Sequence, residues 1–151
     1  MDAPVSDALE IDEAAWPIVV WKFREIAESP AAHVYLTRAT TQAGRDAPHA
    51  HLIDVRGLDC PTPEQRRRLI EFVNRHRDHL QKAEAIAVVA EPPAFRFALS
   101  TLVLALPWLP PSAVHSRIGL AEAWAQRRLA TREQRRLSTI PARSRDSRRG
   151  L

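Results

Sequence analysis

The sequence predicts an α/β fold with the element order ββαβαβαβα. Two observations carry that expectation. The runs His51–Val55 and Ala85–Ala90 are short and nearly continuously apolar, as strands covered on both faces are. Between and after them lie helix-length segments of about ten to eighteen residues, which imply parallel neighbours joined by right-handed crossovers.

The central stretch is HAHLIDVRGLDCPTPEQRRR, residues 49–68. Gly57 stops its strand, and Pro61 and Pro63 keep the residues before them out of helix. Thr62 then falls at an N-cap with Pro63 at the first helical position, and Gln65 completes a capping-box pattern. The chain thus turns sharply at the carboxyl end of a strand and puts a threonine hydroxyl at a helix N-terminus. Parallel sheets usually bind ligands at that end, and a helix N-terminus favours anions. The ordinary role of such a threonine is a cap; the functional alternative is a candidate phospho-acceptor.

The other elements follow in order. Residues 1–7 have no periodic pattern and read as a flexible N-terminus. Ala8–Ile11 and Pro17–Phe23 read as strands joined by a turn over Asp12–Trp16, an N-terminal hairpin. In the second strand Ile18, Val20 and Lys22 alternate with Val19, Trp21 and Phe23. Ser29-Pro30 opens a helix that ends near Ala43 before Gly44. After Thr62, Leu69, Phe72, Val73, His76 and Leu80 recur at helical spacing, leaving Arg66, Arg67, Arg68, Arg75 and Arg77 mostly on the other faces. These arginines suit a solvated face or a docking surface for an acidic partner. The helix expected over Ala94–Leu106 is apolar on most sides and should be largely buried. Ala113–His115 reads as an edge strand. Ile118–Leu129 reads as a last helix, turning Leu120, Ala123 and Trp124 inward. From Thr131 the pattern is lost, so the domain is expected over 8–130 with a basic disordered tail over 131–151.

Composition bounds the function. The chain has 151 residues, 45% of them hydrophobic, enough for one core. A lone cysteine, Cys60, permits no internal disulfide and fits a reducing, cytoplasmic location. The acidic N-terminus is not a secretory signal, and the apolar run from Phe95 to Leu109 is too short to span a bilayer. The net charge of +4 is uneven, because residues 127–151 hold nine arginines against Glu133 and Asp146. The high isoelectric point therefore describes the tail. Nucleic-acid binding through Arg132–Arg149 is one functional alternative, testable by salt dependence.

No constellation makes a convincing catalytic centre. His49/His51 and His76/His79 lack a completing cysteine or carboxylate for a metal. Asp54 ends a strand as a phospho-acceptor aspartate does, but the preceding strand ends Lys22-Phe23-Arg24, the wrong charge to hold magnesium. Asp54 is expected instead to pair with a nearby arginine or cap the turn. Cys60 lies near a helix start but has no base or oxyanion loop beside it. No nucleotide-binding glycine loop and no nucleophile elbow occur, so no cofactor is expected.

The ordered set EIDEAAWPIVV, IDVRG, PTPEQRRRL, FRFALSTLVLALPWL and AEAWA, spanning residues 9–129, resembles a STAS-like domain. More narrowly, it resembles the SpoIIAA-like (STAS/SEC14-type) family of small bacterial proteins. The resemblance implies a four-to-five-stranded mixed sheet with helices mainly on one face and a non-enzymatic role in protein–protein signalling. In related antagonists a kinase phosphorylates a serine in an Asp-Ser-Ser-Gly-like turn after the central strand. The matching segment here is Cys60–Glu64, which lacks that serine and that glycine and leaves Thr62 as the acceptor. The leading expectation is a protein partner docked on the turn and helix start at 57–68, with Asp54, Arg56, Gly57, Thr62, Glu64 and Arg67 as the contact set. The alternative is a small-molecule or lipid pocket lined by the 94–106 helix.

Overall fold

A computed structural model describes residues 9–24 and 47–139. The expected helix from Ser29 to Ala43 and the N-terminal stretch 1–7 expected to be flexible lie outside them. Five strands form one mixed sheet: β1 (Leu9–Asp12), β2 (Ile18–Phe23), β3 (Ala50–Asp54), β4 (Ala85–Val89) and β5 (Ser112–His115). They lie side by side in chain order, β1 antiparallel to β2 and every later pair parallel. The described helices are α1 (Pro63–Arg75), α2 (Arg77–Leu80), α3 (Pro93–Ala105) and α4 (Ile118–Thr139).

Register decides which residues share a face. Val19, His51 and Ile86 pair across β2, β3 and β4, as do Trp21, Ile53 and Val88. This face carries α1 and α2 over the β1–β2 side, where Phe72 and Leu80 pack against Leu9, Ile11, Val19 and Trp21. It carries α3 over the other side, where Phe95 and Leu99 pack on Ile86, Val88, Val55 and Leu58. Strand alternation sends Ile18, Ala50, Leu52, Ala85, Ala87 and Val89 to the opposite face, under Ala121 and Ala125 of α4. Small residues on both sides of that contact let helix and sheet approach closely. Three of the four described helices therefore share one face, with the longest on the other.

Several expectations need correction. The helix after Thr62 is not continuous: it ends at Arg75, His76 is buried at the junction, and α2 starts again at Arg77. α3 is not largely buried. Only Phe95 and Leu99 are buried within it, and Phe97 and Leu104 are 76% and 82% exposed. A helix lying on one sheet face covers one stripe, and the described residues put nothing on its back. α4 does not end at Leu129 but runs to Thr139, so the tail expected to begin at 131 starts as helix. Arg132, Glu133, Gln134, Arg135, Arg136 and Leu137 are good helix formers, and Arg132 pairs with Glu84 just before β4. The inward line of α4 is Ile118, Ala121, Ala125 and Leu129 with Trp124, while Leu120 is exposed.

Candidate functional site

The candidate site is built from the chain between β3 and α1. Asp54 ends β3 and is buried. Its carboxylate accepts from the Arg56 backbone N–H at 3.0 Å, from Nε at 3.0 Å and from Nη2 at 2.9 Å. Asp54 thus does both things expected of it, pairing with an arginine and capping the turn, and Arg56 is its partner in each. Burial pushes the Asp54 carboxyl pKa up. The hydrogen bonds and charge of Arg56, with Lys22 on the neighbouring strand, outweigh this and hold it below the usual value. The same hydrogen bond raises the Arg56 guanidinium.

The turn then closes with Leu58 N–H donating to the Val55 carbonyl at 3.2 Å. Gly57 takes φ of +82° in the third position of that turn, a left-handed conformation a side chain strains to adopt. Val55 N–H donates to the Val89 carbonyl and fastens the turn to β4. Leu58 and Pro61 are buried, while Arg56, Gly57, Asp59, Cys60 and Thr62 face solvent.

The capping box is present. Thr62 Oγ1 accepts from Gln65 N–H at 3.2 Å, and Gln65 Oε1 accepts from Thr62 N–H at 2.9 Å. Replacing Thr62 with Ala should destabilise the domain by about 1 kcal/mol, read from urea unfolding, while Thr62→Ser should be near neutral. Equal losses in both variants would assign the effect to the methyl group rather than the cap. On the first turn of α1, Glu64 lies 3.7 Å from Arg67 and 3.2 Å from Arg68, all exposed. Such surface pairs contribute little stability and leave the groups open to a partner. The structure thus gathers Asp54, Arg56, Gly57, Thr62, Glu64 and Arg67 along one continuous segment, but Asp54 is enclosed and acts as the anchor rather than a contact surface.

The histidines play other parts. Among the described residues no group of three or more His, Cys, Asp or Glu side chains gathers to hold a metal. His49 stacks on Trp16, with ring centroids 5.6 Å apart, and meets His51 edge-on at 5.2 Å. His51 is buried in the sheet and its Nδ1 accepts from Trp21 Nε1 at 2.9 Å. An indole N–H only donates, so Nδ1 must be unprotonated. Burial, assisted by the neighbouring His49, lowers the His51 pKa to about 3. This pair escaped the sequence reading because its members are 30 residues apart and meet only through the β2–β3 register. On β5, His115 lies 5.8 Å from Trp124, and Arg128 covers that indole at 5.3 Å.

No helix among the described residues is long and apolar enough to cross a membrane. Comparison with known proteins finds no matching family model, curated protein or solved structure.

Proposed function

We propose that the domain is a non-catalytic, STAS-like interaction module that docks a protein partner on the turn and helix start at 57–68. The observation that carries this reading is a segment anchored at both ends yet exposed between. Asp54–Arg56 and the Val55–Leu58 turn fix its start, and the Thr62–Gln65 box fixes its end. Leu58 and Pro61 point in, so Arg56, Asp59, Cys60, Thr62 and Glu64 are presented with little freedom left to lose. Preorganisation of this kind lowers the entropy cost of binding, and loops fixed on a scaffold are common recognition sites. The segment also lies at the carboxyl ends of parallel strands, the usual binding edge of such sheets.

A phosphate on Thr62 would sit at the amino end of α1, where its charge is favoured. It would change the face a partner reads without unfolding its support. The test compares full-length protein with Thr62→Glu and Arg67→Glu in affinity capture from nuclease-treated lysate, with melting temperatures measured in parallel. A defined protein retained by the wild type and lost from both variants is the expected result, with the melting temperature unchanged in Arg67→Glu and lowered in Thr62→Glu by no more than in Thr62→Ala, the cap control. Retention of every captured protein by both variants would sink the assignment.

A further inference from the structure

We infer that the outer face of α3 is a docking face for an anionic lipid surface. Its apolar crest lies outside the segment 57–68, whose Arg66, Arg67 and Arg68 enter only as part of the charge on the same sheet face, and it does not rest on the reading proposed for that turn. Phe97 and Leu104 are the two most exposed large hydrophobic residues in the described chain. They stand seven positions apart, about 10 Å along the helix. Helical spacing puts them diametrically opposite Phe95 and Leu99, the buried line of α3. They therefore form the crest of the helix rather than the wall of a cleft.

The crest has few polar groups to desolvate. Between its two large residues lie Ser100 and Thr101, and the Thr101 hydroxyl donates back to the Phe97 carbonyl at 3.0 Å. α3 has no acidic residue, and its one charged side chain, Arg96, turns back to the carbonyls of Ala90 and Glu91. Just beyond its C-terminus Trp108 lies under the Arg77 guanidinium, 5.2 Å from the ring centroid. An indole with a cation over it suits the boundary between headgroups and acyl chains. On the same sheet face, α1, α2 and α3 together hold six arginines against three carboxylates. An apolar crest beside a net-positive neighbour complements an anionic bilayer, combining shallow insertion with headgroup attraction.

Two other occupants fit less well. A partner's amphipathic helix seats its apolar stripe in a groove, and Phe97 and Leu104 project instead. A second copy packed antiparallel on α3 by a two-fold axis would bring the arginine-bearing α1 of each copy opposite its equivalent, like charge facing like.

The test is flotation of the full chain with vesicles of phosphatidylcholine alone or mixed with phosphatidylglycerol, across a salt series. Phe97→Ser and Leu104→Ser change no charge and touch no buried contact, so both should fold with unaltered melting temperature. Binding to the anionic vesicles only, weakened by salt and reduced roughly tenfold or more by either serine variant, is the expected result. Several results would overturn the inference. One is no binding at low salt. Another is binding insensitive to both serine variants but lost on Arg132→Glu with Arg135→Glu, which assigns it to the arginines of α4. A third is a wild-type dimer in light scattering that Phe97→Ser turns into monomer, which gives the face to a second copy. A clear drop in melting temperature for both serine variants would mean that the chain's own residues cover the crest.

Discussion

Stability should fall by on the order of 3 kcal/mol when the pH is lowered from about 7 to about 4, through His51 alone. In the folded protein this imidazole keeps its neutral form down to about pH 3. In the unfolded chain it takes up a proton near its ordinary value of 6.5. The unfolded state therefore binds more protons throughout that window, and acid favours unfolding. The cause is geometric as well as dielectric. Protonated Nδ1 would turn a second N–H toward the Trp21 indole N–H, two donors facing each other without water between them. His115, whose pKa is lowered by burial and by Arg127, adds in the same direction. Asp54 does not contribute over most of this range. Its lowered pKa gives stability that is present above its unfolded value of 3.8 and is lost only as the pH falls through the folded value. Urea unfolding at closely spaced pH values should show the slope. His51→Asn keeps an acceptor near Nδ1 but cannot titrate, so it should be less stable than wild type at neutral pH yet flatter toward acid. An identical slope in both proteins would mean that His51 is not the group that titrates.

The largest single-residue loss should come from Phe95→Ala, about 3–5 kcal/mol. Phe95 is 1% exposed and joins Val55 and Leu58 of the candidate turn to Ile86, Val88 and Leu99. Its removal leaves a cavity beneath both the turn and the N-terminal half of α3. Phe97, two residues along, should tolerate alanine within about 0.5 kcal/mol, because it is 76% exposed and gives up little buried area. The contrast between two phenylalanines on one helix, measured by denaturant midpoint at constant slope, tests the orientation of α3 directly. Comparable losses at both positions would place the crest inside the molecule.

The central strand, its turn and the start of α1 were legible because their signals are local. Gly57, Pro61, Thr62, Pro63 and Gln65 each constrain their own backbone or a neighbour within three residues. The pairing of Asp54 with an arginine was likewise readable, since the partner is two residues away. What failed depends on distant neighbours. Hydrophobicity says that α3 prefers to leave water, but not whether the fold supplies a cover for each of its sides. The arginine-rich composition after Thr131 looks like solvated coil until Glu84, from before β4, meets Arg132. The His51–Trp21 bond needs the parallel register, which alternation within each strand does not specify.

The sheet order has a consequence for how the chain comes together during synthesis. Because spatial order repeats chain order, each strand after the first finds its template already made. No late strand has to be inserted between two earlier ones, the step that makes many parallel sheets wait for their C-terminus. Growth on the α1–α3 side can keep pace with the ribosome, since each crossover helix emerges before the strand that follows it. The other side has a different timetable. Among the described elements Leu52, Ala87 and Val89 are covered by α4, the last of them to leave the ribosome, so this cover is completed only when Ala121 and Ala125 arrive.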